Sequence, residues 1–208
     1  MGTRTLTVYE SLNFVGKYLQ TAKNYLVKDL SSIKQNFPLV LKLVSPDAVH
    51  KTEFRGVRVI KDASSLAVEF DDLIAVAKKK HLKTEGILVQ EFVQGKEVII
   101  GIKKDPSFGH VIMFGLGGIM VELLKDVSFR VCPITESDAD SMINDLKGKG
   151  LLTGFRGEPA VNLSLLKKIL VKASYIPVKN PSISELDINP LIINEKDAVV
   201  VDSRIVLD

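Results

Sequence analysis

The sequence contains 208 residues, of which 46% are hydrophobic and 25% charged, proportions that are typical of a globular protein and exclude a disordered chain. Its net charge of +3 is small and evenly scattered, which argues against a nucleic-acid-binding protein. The longest uncharged apolar stretch, residues 111–121, contains three glycines and is too short to cross a bilayer. The N-terminus lacks the apolar region of a signal peptide, and the single cysteine, Cys132, allows no internal disulfide. We therefore expect a soluble cytoplasmic protein that binds neither nucleic acid nor membrane.

The periodicity of apolar residues predicts a mixture of helices and strands. In chain order we expect a helix at 9–20, strands at 37–44 and 57–60, a helix at 64–80, strands at 87–93, 98–102, 110–114 and 127–131, helices starting at Thr135 and after Asn162, and strands at 183–193 and 198–206. Hairpins and helices follow one another without a regular βαβ alternation, so the predicted fold class is α+β.

Lys42, within the apolar run at 37–44, is the first residue that indicates a ligand. Side chains alternate along a strand, so Lys42 is expected on the opposite face from the leucines at 39, 41 and 43. A lysine inside a buried strand needs an anionic partner, because an unpaired buried ammonium is very costly. Lys42 therefore either binds an anionic ligand or extends its ammonium to water from an edge strand.

The loop that follows combines cations, a hydroxyl and a glycine within seven positions: His50, Lys51, Thr52, Arg55 and Gly56. Such a loop can surround phosphate oxygens with backbone N–H groups and positive charge. A neutral imidazole can also accept a phosphoryl group and release it again. His50 is thus either a nucleophile or a solvated loop residue.

Oxygen-bearing side chains recur on one face of the last two predicted strands. In the run ELDINP, alternation places Asp187 and Asn189 away from the apolar side chains. Asp202 lies on the polar side of the next strand, and pairing of the two strands would bring all three together. Such hard oxygen ligands suit Mg²⁺, which takes one or two carboxylates together with waters and substrate phosphates. The alternative is a solvated hairpin face.

Glycines and arginines provide weaker signals. The run GLGG at 115–118 allows a ligand to approach the backbone closely, but it also suits any tight turn. Arg130 and Arg156 either clamp phosphate or pair with surface carboxylates. The residues alone therefore indicate a Mg-nucleotide site and no particular reaction.

Together these segments resemble the β subunit of ADP-forming acetyl-CoA synthetases, an ATP-grasp family related to succinyl-CoA synthetase. The resemblance covers residues 37–208 and extends more loosely back through the first predicted helix. The matching stretches, in family order, are FPLVLKLVSPDAVHKTEFRGV, GILVQEFV followed by KEVIIGIKKDPSFG, MFGLGGIMVELLKDVSFRVCPI, GFRGEPAVN and ELDINPLIINEKDAVVVDSRI.

The resemblance implies an ATP-grasp fold with ATP or ADP held between two α+β lobes, which we place at 1–89 and 90–208. It implies that Lys42 reaches the phosphates, that the strand at 90–93 meets the adenine edge through its backbone, and that Glu97 accepts the ribose hydroxyls. The residues predicted to bind the nucleotide are Lys42, Arg55, Gly56, Gln90, Glu91, Val93, Glu97 and Arg130. The predicted Mg²⁺ ligands are Asn189 and Asp202.

The resemblance also implies a phosphoryl relay. In this family a histidine of the β subunit passes phosphate between a histidine of the CoA-binding α subunit and the nucleotide, and His50 stands at its position. Asp187 is then expected to orient or stabilise the phosphohistidine. The implied reaction is acyl-CoA + ADP + phosphate ⇌ acid + CoA + ATP, catalysed together with the α subunit in an assembly that is commonly α₂β₂.

Two positions depart from the family pattern. Arg55 replaces the first of two glycines in the phosphate loop, a change that would stiffen the loop or add a phosphate contact. The usual Tyr-Gly-Ile-Pro stretch near the N-terminus reads Tyr18-Leu19-Gln20-Thr21. The second departure leaves the predicted nucleotide residues untouched.

Three other readings compete with the synthetase subunit. A nucleotide-binding regulatory or scaffold subunit would have lost phosphotransfer, which the joint presence of His50, Asp187, Asn189 and Asp202 argues against. An ATP-grasp carboxylate–amine ligase would carry its own acceptor-substrate domain. A succinyl-CoA synthetase β subunit would be longer. The sequence does not indicate the acid substrate or a preference between ATP and GTP.

Overall fold

The computed structural model describes residues 2–34, 36–47, 56–118, 125–154 and 157–208. Within these ranges the chain forms two compact units, a larger one of residues up to 6, 10–21 and 94–208, and a smaller one of residues 7–9 and 22–93. The strands are β1 Arg4–Thr5, β2 Asn24–Val27, β3 Leu39–Val44, β4 Val57–Ile60, β5 Gly86–Glu91, β6 Lys96–Asp105, β7 Gly109–Leu116, β8 Val127–Val131, β9 Ile183–Ile193, β10 Ala198–Val200 and β11 Ser203–Leu207. The helices are α1 Val8–Val15, α2 Ala63–Lys79, α3 Glu136–Asp145, α4 Gly150–Thr153, α5 Leu163–Ser174 and α6 Ile176–Lys179, with a 3-10 turn at Leu30–Ser32.

The smaller unit contains an antiparallel sheet in the order β2-β5-β3-β4. Helix α2 begins after Asp62, whose carboxylate accepts a hydrogen bond from the Ser64 backbone N–H. One face of the sheet packs on α2, and the leucines at 39, 41 and 43 share a buried cluster with Phe70 and Leu73 of the helix. The alternation predicted around Lys42 is therefore confirmed.

The larger unit contains an antiparallel sheet in the order β1-β11-β9-β6-β7-β8, with β10 also paired to β9. Helices α3 and α5 contact each other, and they contact β8 and β6 respectively. Thr135 and Asp138 form the predicted capping box of α3, and the Asn162 side chain accepts a hydrogen bond from Leu165 N–H at the start of α5. Burial of the apolar stripes of these helices leaves the polar side chains of β9 on the other face of the sheet.

The structure agrees with the predicted α+β class and with most helices and strands of the core, although α1 ends at Val15 and the short helices α4 and α6 were not expected. Strands β1 and β2 were not expected, and the predicted strand at 198–206 is interrupted at 201–202. The N-terminal residues join the larger unit, because β1 pairs with β11 and residue 21 bridges to residue 200. Residues 90–93 fall in the smaller unit, and the lobe boundary expected after residue 89 stays a prediction. Among the described residues, no helix combines the length and the apolarity needed to cross a membrane.

Candidate functional site

Lys42 lies on the face of the smaller sheet that points away from α2. It is only 4% exposed. In the antiparallel register Lys42 pairs with Leu88 and Val40 pairs with Gln90, so Lys42 and Gln90 are diagonal neighbours on this face. Gln90 is buried as well. The fold therefore gathers a cation and an amide on a largely apolar surface, an arrangement that suits a ligand with both anionic and hydrogen-bonding parts.

Asn24 extends this polar row and was missed by the sequence reasoning. It lies on β2 directly opposite Gln90. Its side-chain N–H donates to Ala22 O at 2.7 Å, while its Oδ1 is buried and accepts no hydrogen bond from the described residues. The run NYLV carried a weak signal, because it places a polar residue at the start of a short β-prone segment.

The predicted adenine-binding segment follows this row. Strand β5 ends at Glu91, and Val93 lies beyond it in the connection to β6. The Glu91 backbone N–H donates to Lys23 O at 3.0 Å, and its carboxylate accepts the Lys23 N–H at 2.9 Å. The side chain of Glu91 thus fastens the N-terminal side of β2 to the end of β5.

The segment that carries His50 is anchored at both described ends. On one side, the Asp47 carboxylate accepts a hydrogen bond from Lys83 N–H at 3.0 Å. On the other side, the Gly56 carbonyl accepts one from Leu43 N–H at 2.9 Å. His50 and Arg55 themselves lie outside the described residues, so their predicted roles stay predictions. Gly56, which directly precedes β4, is buried.

In the larger unit, β9 and β11 bring the predicted metal ligands together. Asn189 N–H donates to the Asp202 carbonyl at 3.1 Å, so the two residues face each other across the strands. Asp187, two residues before Asn189, pairs with Arg204, two residues after Asp202. All four side chains belong to the same face by alternation. The strand pairing on which the predicted convergence of Asp187, Asn189 and Asp202 depends is thus present, and their roles at a metal or phosphohistidine stay predictions.

These residues offer an incomplete but suitable donor set for Mg²⁺. Asp202 supplies a carboxylate and Asn189 an amide oxygen, both hard ligands. In the part of the chain that the structure describes, no group of three or more His, Cys, Asp or Glu side chains is arranged to hold a metal. A cation with two protein ligands needs waters and substrate phosphates to complete its shell, which is the usual situation for Mg²⁺ at a nucleotide.

The charges around Asp187 oppose one another. Burial raises the pKa of Asp187 above its ordinary value; the Arg204 guanidinium lowers it, while the carboxylates of Asp202 and Glu185 raise it further. Arg204 is held by Glu185, with 3.0 Å between its guanidinium and Oε2. The carboxylate of Asp187 is therefore kept where ionisation is unfavourable, which is common at functional sites.

Glu97 lies near one end of β6, and its side chain is exposed. Its carbonyl accepts a hydrogen bond from Gly117 N–H at 2.7 Å, so the strand of the predicted ribose carboxylate lies against the glycine-rich run. Arg130, the other predicted nucleotide residue of this unit, forms an ion pair of 2.9 Å with Asp145 and donates to the Ser128 hydroxyl at 3.3 Å. Arg130 was expected either to clamp phosphate or to pair with a carboxylate, and the structure shows the carboxylate pair. A phosphate contact of Arg130 stays a prediction.

The chain matches the ATP-grasp domain family over residues 4–207. It is 42% identical to the β subunit of acetate–CoA ligase [ADP-forming] I from Pyrococcus furiosus, over 82% of this chain and 75% of that one. It is also 41% identical to acetate–CoA ligase [ADP-forming] I from Archaeoglobus fulgidus, over 82% of this chain but only a quarter (25%) of the length of that protein.

Solved structures agree. Acetyl-coenzyme A synthetase 1 from Ca. Korarchaeum cryptofilum, in complex with coenzyme A, Ca-AMPCP and HgCl+, superposes with a TM-score of 0.93 at 42% identity, over 99% of this chain and 94% of that one. Another structure of the same protein holds coenzyme A and Mg-AMPPCP, with its phosphohistidine segment pointing towards the nucleotide binding site; its TM-score is 0.85 at 41% identity, over 99% and 93% of the two chains.

The fold and the family match together define an ATP-grasp protein. Within that class, the chain belongs to the family of ADP-forming acetate–CoA ligases, and it aligns with a β subunit of that family. The resemblance and the ATP-grasp fold expected from the sequence are thereby confirmed.

Replacing Asp187 with asparagine is expected to stabilise the folded protein at neutral pH, although it removes a predicted functional group. The raised pKa of Asp187 means that its ionised form is disfavoured by folding, so the destabilisation is present above the ordinary aspartate pKa and disappears below it, where the group is protonated in both states. The free energy of unfolding of Asp187→Asn should therefore exceed that of the wild type at pH 7, with the difference vanishing on acidification. Urea unfolding at several pH values measures it.

The matched control is Asp197→Asn, an exposed aspartate between β9 and β10. Its free energy of unfolding should follow that of the wild type at every pH. Lower stability of Asp187→Asn than of the wild type at pH 7 would show that Asp187 is a structural ion-pair partner of Arg204.

Proposed function

We propose that the chain is the nucleotide-binding subunit of an ADP-forming acyl-CoA synthetase, in which it relays a phosphoryl group to ADP. The reaction is acyl-CoA + ADP + phosphate ⇌ acid + CoA + ATP. The observation that carries the proposal is the register of β9 and β11, which sets Asn189 opposite Asp202 and places Asp187 on the same face, in a chain of this family. Phosphoryl transfer depends mainly on positioning and on electrostatic stabilisation of the phosphate charge, to which a metal-ligand pair and a nearby orienting carboxylate contribute.

In this proposal the nucleotide is bound by the residues that the family resemblance indicates. The ammonium of Lys42 is buried on the face of its sheet that points away from α2. There it neutralises phosphate oxygens of ATP or ADP. The backbone at 90–93 meets the adenine edge, and Glu97 accepts the ribose hydroxyls. Arg55, Gly56 and Arg130 complete the set proposed around the phosphates.

Asn189 and Asp202 would hold Mg²⁺, which suits their amide and carboxylate oxygens. When bound, the cation neutralises charge on the phosphate oxygens of the nucleotide. The related synthetase from Ca. Korarchaeum cryptofilum has been observed with Mg-AMPPCP, which supports this assignment. A backbone hydrogen bond of 3.1 Å from Asn189 N–H to the Asp202 carbonyl keeps the two residues side by side.

His50 carries the phosphoryl group in this proposal. A ring nitrogen of His50 forms a bond to phosphorus as the bond to the partner's phosphohistidine nitrogen breaks. A β-phosphate oxygen of ADP then attacks, the phosphorus–nitrogen bond of His50 breaks, and ATP is formed. Asp187 orients the imidazole by accepting its other N–H, which favours one tautomer.

The partner in this proposal is a CoA-binding α subunit, in an assembly that we expect to be α₂β₂. Support comes from the name of the Pyrococcus furiosus relative, a subunit beta, and from the much greater length of the Archaeoglobus fulgidus relative. The acyl group and CoA would be bound by the partner. We place the protein in the cytoplasm, where nucleotides and CoA thioesters are used.

The relay is tested by incubating the full chain with Mg²⁺ and γ-labelled ATP, with and without its CoA-binding partner subunit. We expect protein-bound label that is labile in acid and stable in base, as phosphohistidine is. The label should disappear in His50→Ala and persist in His81→Asn, a control at an exposed histidine after α2 whose positive φ of 53° asparagine tolerates. Absence of label with the partner present, or equal label in His50→Ala, would contradict the relay and favour a nucleotide-binding regulatory subunit.

Asp202→Ala is expected to raise the Mg²⁺ concentration needed for half-maximal labelling by roughly tenfold or more, because a contact to a charged group contributes about 1.5–3 kcal/mol. A Mg²⁺ titration of the labelling rate measures the effect, with Asp197→Ala as the control. An unchanged Mg²⁺ requirement in Asp202→Ala would exclude Asp202 as a metal ligand while leaving the relay itself open to the labelling test.

A further inference from the structure

Two glycines that follow β7 lie directly against Glu97. Val98 pairs with Leu116 in the β6–β7 ladder, so Glu97 and Gly117 are the next pair along. A Cβ added to Gly117 would lie 2.6 Å from the Glu97 Cβ and 2.9 Å from its carbonyl carbon, distances at which side chain and backbone overlap. Any residue larger than glycine at 117 must therefore displace Glu97.

Gly118 adds a conformational requirement. Its φ is +68°, in the left-handed region that residues with a Cβ rarely adopt. A Cβ at Gly118 would lie 3.7 Å from Oε2 of Glu97, which is ordinary van der Waals contact. The carboxylate of Glu97 therefore lies over the Gly118 backbone.

The backbone that precedes Glu97 is fixed from other directions. A Cβ on Gly95 would lie 2.6 Å from the Ile193 carbonyl oxygen, so β9 packs closely there. The Lys96 ammonium donates to the Leu151 carbonyl at 2.6 Å. Asn194 donates to the Gln94 carbonyl at 3.1 Å. Three consecutive residues are thus tied to different parts of the larger unit.

Glu97 itself is exposed, and it forms no ion pair with any residue that the structure describes. An exposed acid on a solvated surface needs no such support. Glu97 instead lies on an immobilised backbone, and the glycines at 117 and 118 leave room for its side chain. These are the properties of a preorganised ligand contact, since fixed groups lose less entropy on binding.

We propose that Gly117 and Gly118 are positioning residues that hold the Glu97 carboxylate at the nucleotide ribose. In this role the glycine-rich run acts on the nucleotide through Glu97. This inference rests on the proposed function, in which Glu97 accepts the ribose hydroxyls. It adds a specific physical role for glycines whose sequence pattern alone fits any tight turn.

The test compares the affinity of the full chain for MgADP and for Mg-2′,3′-dideoxy-ADP, which lacks both ribose hydroxyls. The wild type should prefer ADP by roughly tenfold to a hundredfold, the range expected for hydrogen bonds to a charged acceptor. Gly117→Ala should bind ADP and dideoxy-ADP with nearly equal affinity. Its affinity for dideoxy-ADP should stay within about twofold of that of the wild type. Glu97→Gln should lose much of the preference as well. Gly150→Ala is the control, because an added Cβ there meets no atom within 4 Å.

Each outcome has a distinct meaning. Retention of the wild-type preference in Gly117→Ala, or equal weakening of both nucleotides, would overturn the positioning role. Failure of the wild type to bind either nucleotide would instead overturn the proposed function. If Gly117→Ala does not fold, as thermal melting would reveal, Gly118→Ala replaces it, and its preference should fall by a smaller factor than in Glu97→Gln; an unchanged preference there would overturn the inference.

Discussion

Strand β9 determines where the oxygen ligands of the larger unit lie, because its side chains alternate between a packed and an open face. Ile188 and Leu186 are buried, whereas Asp187 and Asn189 belong to the other face. Its pairing with β11 then sets Asp202 opposite Asn189. A slip of one residue would send the carboxylates into the apolar layer, so the hydrophobic pattern that folds the sheet also fixes the site.

The two units each hold a charge where water is scarce. Lys42 lies within a strand whose other face is packed with leucines, and Asp187 lies where burial disfavours its ionised form. Removing an ion from water is costly unless a partner compensates it. Buried ionisable groups such as these are expected where an anionic ligand and a cation must be bound.

Much of this could be predicted from the sequence, for identifiable reasons. Long alternating runs such as 183–193 and polar caps such as Thr135 and Asn162 have strong local signals, and the structure contains them. Strand β1 has two residues and depends on pairing with β11 at the far end of the chain, so no local pattern could indicate it. The contact between Gly117 and Glu97 is far more local in sequence, but it depends on the exact register of β6 against β7, which the apolar pattern did not reveal.

Other parts of the site depend on the family resemblance rather than on local chemistry. Nothing in the pattern around Gln90 or Glu97 distinguishes a nucleotide contact from an ordinary strand residue. The structure adds physical content to both: Gln90 is buried in a polar row with Asn24 and Lys42, and Gly117 and Gly118 lie directly against Glu97. Asn24 escaped prediction because β2 is short and begins with a residue that is rare in strands.

We expect the chain to bind a Mg-nucleotide through its buried Lys42. Calorimetric titration of MgADP into the full chain tests this most directly. Lys42→Met should weaken binding by at least about tenfold, because a charge-assisted contact contributes about 1.5–3 kcal/mol. Lys61→Met, at an exposed lysine after β4, should bind as the wild type does. Equal dissociation constants for Lys42→Met and the wild type, in a variant that is shown to fold, would contradict the account.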